Sequence, residues 1–206
     1  MKILKPKFWD ERKISLIAFI LLPLAFFYKF LTLLKKNLTS EKSFSIPIIC
    51  VGNIYIGGTG KTPVSIEIFK ILKDLKMKPV ILKKSYKNQK DEILLIKKYC
   101  EILVTGKREE GIHSAIQKKF DVVILDDGFQ DFSIKKNINI ICFNSKQKVG
   151  NGLTIPSGPL RQDLKSLKNC DIIFYNGERD HDFEKKLEKF NSKIKFVYYR
   201  YTSKDI

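Results

Sequence analysis

Residues 46–62, which read IPIICVGNIYIGGTGKT, join an apolar run to a cluster of glycines. Ile46–Val51 is rich in β-branched residues and stops at Gly52-Asn53, a pattern that predicts a buried strand. Beyond the glycines, apolar residues recur at helical spacing, at Val64, Ile68, Ile71, Leu72 and Leu75. The order of strand, glycine-rich turn and helix predicts a loop that binds phosphate groups.

The glycine-rich loop has the residue types that a triphosphate requires. Consecutive glycines let main-chain N–H groups turn inward around phosphate oxygens, and the positive end of the following helix dipole adds to them. We predict that Lys61 reaches the β- and γ-phosphates of ATP and that the Thr62 hydroxyl binds magnesium. The expected ATP contacts are Tyr55, Ile56, Gly57, Gly58, Thr59, Gly60, Lys61 and Thr62. Because the usual pattern has glycine at position 55, the match is partial, and a chance occurrence in a loop is the alternative.

The rest of the chain alternates between short apolar runs and helical patterns, which indicates one α/β domain. The predicted strands are Pro79–Leu82, Ile102–Val104, Val122–Leu125, Ile138–Phe143, Ile172–Tyr175 and Phe196–Tyr199, and the predicted helices are Asp91–Tyr99, Glu109–Lys119 and Phe183–Phe190. Because the strand runs are almost continuously apolar, we predict a P-loop NTPase-like, mainly parallel sheet with helices on both faces.

The N-terminal segment is the most hydrophobic part of the chain. Ile14–Tyr28 carries no charge and is flanked by basic residues. A spanning helix needs ~20 apolar residues and Pro23 interrupts this run, so we predict a membrane-associated helix that inserts shallowly. A secretory signal peptide and a buried core helix are the alternatives. We therefore divide the chain into an N-terminal helix at 1–36 and a P-loop domain at 37–206, with a polar linker at 35–45.

The charge balance restricts the partners. Thirty-nine lysines and arginines against twenty-two acids give a formal net charge of +17, which favours polyanions such as nucleic acid, anionic lipid or phosphorylated substrates. The basic residues form no aromatic-interleaved cluster, so we expect an anionic membrane surface and no nucleic acid. The cysteines lack metal or redox spacing and are predicted to be core residues of a cytoplasmic protein: Cys50, Cys100, Cys142 and Cys170.

Two pairs of acids are candidate site residues. Asp126 and Asp127 follow a buried strand, where a carboxylate can hold magnesium directly or through water. A pair of exposed acids in a turn is the alternative. Asp91-Glu92 begins a helical pattern, where acids are ordinary partners of the helix dipole. A carboxylate that takes a proton from an attacking hydroxyl must nevertheless come from a neighbouring loop such as this one.

The segment 150–161 contains three glycines, two prolines and a single arginine, Arg161. This composition indicates a loop of defined shape near a site. We predict that Arg161 neutralises charge on a transferred phosphoryl group. An ordinary surface arginine in a connecting loop is the alternative.

Taken together and in this order, these motifs resemble the bacterial tetraacyldisaccharide 4'-kinase family of Gram-negative inner membranes. The resemblance covers about residues 14–175 and rests on GGTGKTP, on DDGFQ from Asp126, on the acid pair before two leucines, and on GNG with GPLR ending at Arg161. It implies transfer of the ATP γ-phosphate to the 4'-hydroxyl of a tetraacylated glucosamine disaccharide 1-phosphate in lipid A biosynthesis. It also implies a location at the cytoplasmic face of the inner membrane.

The resemblance assigns a role to each candidate residue. It implies catalytic roles for Asp91, Lys61, Arg161 and Asp127, and magnesium ligation by Thr62, Asp126, Asp127 and Glu92. The chain departs from the family where that family has a basic-glycine-tyrosine segment, a proline, a histidine and an acid, which are here Lys84-Ser85-Tyr86, Ile93, Asp131 and Gln162. Family members also continue into a C-terminal region whose histidine pairs with the catalytic aspartate, and His181 does not match it.

We therefore expect a monomeric kinase that uses ATP and Mg²⁺ on a lipid disaccharide. The alternative from another class is a nucleotide-dependent membrane-binding module that modifies no acceptor. ATP hydrolysis without acceptor turnover distinguishes the second from the first.

Overall fold

In the computed structural model, which describes residues 5–11, 13–85 and 90–201, the core is a seven-stranded sheet. The strands are β1 (Ile48–Gly52), β2 (Pro79–Lys84), β3 (Ile102–Thr105), β4 (Val122–Asp126), β5 (Ile138–Asn144), β6 (Ile172–Asn176) and β7 (Lys195–Tyr199). The helices are α1 (Leu16–Ile20), α2 (Leu22–Leu38), α3 (Lys61–Asp74), α4 (Lys90–Tyr99), α5 (Arg108–Gln117) and α6 (His181–Glu188). Every strand predicted from an apolar run is present, with ends that differ by at most two residues.

The strand order is β3-β2-β4-β1-β5-β6-β7, and all six neighbouring pairs are parallel. All carboxyl ends therefore lie on one edge of the sheet. The first strand, β1, lies in the interior with β4 on one side and β5 on the other. Ligands of open α/β sheets bind at such a reversal of strand order, and the glycine-rich loop begins there.

Helices cover both faces of the sheet, as predicted. Successive side chains of a strand point to opposite faces, and the neighbours Cys50 and Val51 belong to two different hydrophobic clusters. The Val51 cluster includes residues of α3 and α4, whereas the Cys50 cluster includes residues of α5 and α6. Burial on both faces explains why the strands read as continuous apolar runs. All four cysteines are buried with free thiols, as expected of core residues.

The helix bounds differ from the prediction by one or two residues, and two of the differences have a local reason. Helix α5 ends at Gln117, short of the predicted Lys119, because Lys119 has a left-handed backbone with φ of 55°. Helix α6 begins at His181 and ends at Glu188, in each case two residues earlier than predicted. The Asp180 side chain accepts a hydrogen bond from Phe183 N at 3.0 Å and so caps the first turn.

The N-terminal segment forms two helices where one was predicted. The break at Leu21 precedes Pro23, which has no N–H to continue the hydrogen-bond ladder. Helix α2 ends at Leu38, so the boundary predicted at residue 36 and the first part of the predicted linker lie inside a helix. Within the described residues, no helix is long and apolar enough to cross a membrane.

Helix α2 has an unusual distribution of side chains. The residues that face the protein follow a helical stripe of small and polar residues, namely Ala25, Tyr28, Lys29, Thr32 and Lys36. The residues on its outer side are large and apolar, and Phe26 is 66% exposed. A core helix has the opposite arrangement, so the structure contradicts the buried-helix alternative.

Candidate active site

The glycine-rich loop joins β1 to α3. Gly57 and Gly60 have φ of 117° and 84°, conformations that favour glycine, and Gly60 directly precedes the first residue of α3. The Asn53 amide donates to the carbonyls of Tyr55 at 2.6 Å and Gly57 at 3.2 Å, which holds the loop in its turn. Gln130, the last residue of DDGFQ, in turn donates to the Asn53 carbonyl at 2.6 Å. Two of the motifs found in the sequence are thus joined directly.

The inner part of the loop fits a phosphate group. A Cβ atom added at Gly57 or Gly58 would meet no atom within 4 Å, so a ligand can approach the main chain there. The Thr59 hydroxyl is buried and has no hydrogen-bond partner among the residues that the structure describes. A buried polar atom without a partner is costly, and a bound ligand is one way to satisfy it.

The first two residues of the predicted ATP segment hold the polypeptide together instead. The Tyr55 ring is buried, and its hydroxyl contacts Lys5, at 2.6 Å, and Asp10. Ile56 N donates to the Pro159 carbonyl at 2.8 Å. The Tyr55 side chain thus binds the N-terminal segment, and the Ile56 main chain binds the loop before Arg161; ATP contact at these two positions stays a prediction.

Asp127 lies between two cations at the carboxyl edge of the sheet. Arg161 Nη1 donates to both carboxylate oxygens at 3.1 Å, and Lys61 Nζ lies 3.8 Å from Oδ1. Arg108 also donates to the Asp127 carbonyl at 2.7 Å. Burial acts to raise the pKa of Asp127, but the positive charges of Lys61 and Arg161 outweigh it and hold the pKa below its usual range. Sequence reasoning had proposed these three residues separately, and the structure brings them together.

Arg161 is held by its backbone beside the loop. Arg161 N donates to the Ile54 carbonyl at 2.7 Å, and Leu160 forms an antiparallel bridge with Tyr55. The Tyr28 hydroxyl of α2 donates to the Arg161 carbonyl at 2.9 Å, and Lys29 pairs with Asp163. The arginine therefore points at Asp127 from a fixed segment, which is not the arrangement of an ordinary surface arginine.

A residue that sequence reasoning missed is Lys83. It lies near the end of β2 opposite Asp126 of β4, and its ammonium contacts Asp126 and donates to Glu92 at 2.7 Å. Burial acts to lower the pKa of Lys83, but the two carboxylates outweigh it and raise the pKa, so the ammonium is retained. Burial, the strongest influence on Asp126, raises the pKa of that carboxyl and makes the paired cation necessary. In the sequence it is only a lysine directly after an apolar run, a position that is ordinarily solvated.

The predicted magnesium ligands lie around the start of α3. Thr62 is in its first turn, and Asp126 Oδ1 is 3.4 Å from the Ser65 hydroxyl one turn further along. Among the described residues, no group of three His, Cys, Asp or Glu side chains could hold a metal by itself. Glu92 is engaged by Lys83.

Asp91, the predicted catalytic aspartate, is exposed in the first turn of α4 beside Glu92. Tyr86, part of one departure from the family pattern, lies outside the described residues, as do residues 87–89. Asp131, which stands where a histidine is usual, accepts a hydrogen bond from Arg108 at 3.0 Å. Because Arg108 also donates to the Asp127 carbonyl, Asp131 forms an ion pair with a residue that binds Asp127.

A cleft of about 1070 Å³ separates α2 from the sheet domain and reaches Arg161. One wall is the polar stripe of α2. The lining is strongly basic, with lysines on both sides: Lys29, Lys36, Lys135, Lys136, Lys165, Lys168 and Lys189. The cleft can therefore accept an anionic molecule close to the arginine.

Comparison with known proteins gives a consistent result. The family model described as tetraacyldisaccharide-1-P 4'-kinase (LpxK) matches residues 17–205. The tetraacyldisaccharide 4'-kinase of Pelagibacter ubique is 43% identical over 180 residues, covering 87% of this chain and 57% of that protein. The enzyme of the same name from Rickettsia akari is 36% identical over 191 residues, covering 84% and 58%. The chain thus spans less than two thirds of the length of these relatives.

Solved structures agree on the fold. LpxK from Aquifex aeolicus, solved in complex with ATP, superposes with a TM-score of 0.67 at 22% identity, covering 90% of this chain and 82% of that one. HypB from Helicobacter pylori, solved in complex with nickel, gives a TM-score of 0.52 at 13% identity, covering 88% and 86%. At these identities the likeness concerns the fold alone, and it confirms the prediction of a P-loop NTPase-like sheet.

Proposed function

The chain belongs to the tetraacyldisaccharide-1-P 4'-kinase family, and from this membership we propose that it transfers the γ-phosphate of ATP to the 4'-hydroxyl of a tetraacylated glucosamine disaccharide 1-phosphate. One observation carries the proposal for this chain. At the carboxyl edge of the sheet, Lys61 Nζ of the phosphate loop lies 3.8 Å and Arg161 Nη1 lies 3.1 Å from the same Asp127 carboxylate oxygen. Phosphoryl transfer requires a loop that binds phosphates and cations beside it.

Each residue of this group has a part in the reaction. The loop N–H groups and Lys61 bind the β- and γ-phosphates, and Arg161 neutralises charge that develops on the transferred group. Thr62 and Asp126 or Asp127 would hold Mg²⁺, which when bound neutralises charge on the phosphate oxygens. Asp127 orients Lys61 and Arg161, because its carboxylate contacts both.

Asp91 is the proposed general base. The 4'-hydroxyl oxygen forms a bond to the γ-phosphorus while the bond from that phosphorus to the bridging oxygen of ADP breaks. The hydroxyl proton passes to the Asp91 carboxylate. Its exposed position in the first turn of α4 leaves this carboxylate accessible to an acceptor.

We further propose that α1 and α2 contact the anionic cytoplasmic face of the bacterial inner membrane and that the chain acts there as a monomer. The large apolar side chains on the outer face of α2 favour the acyl region, and lysines near an anionic leaflet contribute about 1 kcal/mol each. The basic cleft beside Arg161 would take the phosphorylated sugar headgroup.

Transfer of ³²P from labelled ATP to the lipid disaccharide in detergent tests the activity. We expect transfer by the chain and its loss in Lys61→Ala, with the Pelagibacter relative as positive control and Lys97→Ala, on the exposed side of α4, as the matched lysine control. ATP binding with no labelled lipid would refute the kinase proposal. ATP hydrolysis without lipid turnover would favour the membrane-binding module.

Flotation with vesicles tests the membrane contact. We expect the chain to float with vesicles that contain phosphatidylglycerol, and we expect the Phe26→Ser/Phe27→Ser/Phe30→Ser variant to remain in the dense fraction. Equal flotation of both proteins would refute a role for the outer face of α2.

A further inference from the structure

A buried lysine, Lys83, lies next to the last residue of β2. The Lys83 side chain is 3% exposed, and β2 is buried up to this residue. Its backbone pairs in register with Asp126, whose side chain has no exposed area. The ammonium contacts that carboxylate and donates to Glu92 Oε2 at 2.7 Å. One buried cation thus joins two carboxylates from two different elements.

Such an arrangement requires both charges. An ammonium or a carboxylate buried alone is strongly unfavourable, and the pair persists because each supplies the opposite charge and the hydrogen bonds of the other. Glu92 differs from Asp126 because its side chain is 50% exposed. The Lys83–Asp126 pair therefore lies in the interior, and Glu92 reaches it from the surface of the domain.

Helix α4 depends on this attachment at its first turn. The buried residues that join α4 to the sheet cluster are Ile96, one turn beyond Glu92, and Cys100, which directly follows the helix. Leu94 and Leu95, which lie nearer the first turn, are exposed. The Lys83–Glu92 bond joins the first turn directly to the sheet, and the first turn contains Asp91.

We propose that Lys83 is a positioning residue that fixes the first turn of α4, and with it Asp91, at the edge of the sheet where Asp127 and Lys61 lie. Asp126 is followed directly by Asp127, so a single ammonium sets the distance between the proposed base and the phosphate site. The role of Asp91 rests on the proposed function, whereas the attachment of α4 through Lys83 does not.

Hydrogen exchange measures the attachment without catalysis. Glu92→Gln removes one charge from a half-exposed side chain and is expected to fold, with Glu67→Gln on the exposed face of α3 as the matched control. The amides of residues 94–97 donate to carbonyls in the first turn of α4, and we expect them to exchange at least fivefold faster in Glu92→Gln than in the unmodified chain. In Glu67→Gln the same amides should exchange at the unmodified rate. Lys83→Met is expected to increase exchange further, and Lys83→Arg, which keeps the cation, to increase it less.

Kinetics measure the consequence. Because small displacements of a reacting group cost up to about 100-fold in rate, we expect Glu92→Gln to lower kcat for lipid phosphorylation roughly tenfold and to leave the KM for ATP within twofold. Unchanged exchange at 94–97 in Glu92→Gln would overturn the attachment. Faster exchange with an unchanged kcat would overturn its link to Asp91. Absence of phosphorylation by the unmodified chain would refute the kinase function, and the exchange result would still decide the attachment.

Discussion

Two glycines of the phosphate loop, Gly58 and Gly60, should respond differently to substitution by alanine. Gly60 has φ of 84°, and an added Cβ would lie 2.6 Å from the Tyr201 hydroxyl and 2.8 Å from the Tyr199 hydroxyl. A non-glycine residue in the left-handed region costs about 1–2 kcal/mol, and displacing the tyrosines adds to it. Gly58 has no such backbone conformation, and its Cβ would meet no atom within 4 Å.

The two substitutions should change the free energy of unfolding by different amounts. For Gly60→Ala we expect a free energy of unfolding lower by about 1–3 kcal/mol, which in a chain of this size lowers Tm by roughly 2–12 °C. For Gly58→Ala we expect a change within about 0.5 kcal/mol, as at other surface positions. The Tyr201→Phe background should recover part of the Gly60→Ala loss, because it removes the nearest clashing atom. Urea denaturation measures all three quantities.

Gly58→Ala should instead affect ATP binding. The open space beside Gly58 is where we expect phosphate oxygens to approach the main chain, so a methyl group there should weaken ATP binding at least tenfold, or about 1.4 kcal/mol. Isothermal titration of the folded variant with ATP measures this directly, and a substitution on the exposed face of α3, Glu67→Gln, is the control. A Gly58→Ala protein that binds ATP as tightly as the unmodified chain would refute the assignment of the phosphate site to this loop.

Three further changes test other parts of the structure. The folded protein lowers the pKa of Asp127, so the stabilising effect of this carboxylate is complete above the ordinary pKa of 3.8 and is lost as the pH falls through the lower folded value. Urea titrations should therefore show Asp127→Asn to be less stable than the unmodified chain by about 1–3 kcal/mol at pH 5 to 8. Below pH 4 the difference should be smaller. A deficit that is constant to pH 2 would contradict this reading. Tyr28→Phe removes the hydrogen bond to the Arg161 carbonyl and should cost about 0.5–1.5 kcal/mol, unlike Tyr99→Phe on exposed α4. Burial raises the pKa of the Cys100 thiol to about 11 and that of Cys50 to about 12, so Ellman's reagent at pH 8 should react with the chain only after urea unfolds it.

The strands were predictable because each satisfies one strong requirement. A strand covered on both faces must be apolar at every position, and that pattern is visible in a single sequence. The order of the strands was not predictable in the same way, because it depends on which apolar faces pack together after the chain has folded. The structure places β1, which leads into the phosphate loop, beside β4, which ends at Asp126.

The site was predictable as a set of residues and not as a set of contacts. Lys61, Asp127 and Arg161 each belong to a motif, and the structure joins them through one carboxylate. Lys83 belongs to no motif, and a lysine at the end of a strand is ordinarily a solvated residue. Its burial depends on Asp126 in β4 and on Glu92 in α4, so it follows from tertiary structure alone.

The orientation of helix α2 is another feature that the sequence alone did not predict. A helical pattern identifies a polar stripe and an apolar side, but it does not state which of them faces the protein. In this chain the polar stripe faces the protein, because Tyr28 and Lys29 bind the segment that holds Arg161 while the outer phenylalanines are exposed. Exposed apolar area of this extent is unfavourable in water and favourable at a lipid surface. The contacts that orient Arg161 and the surface suited to the membrane are therefore opposite sides of one helix.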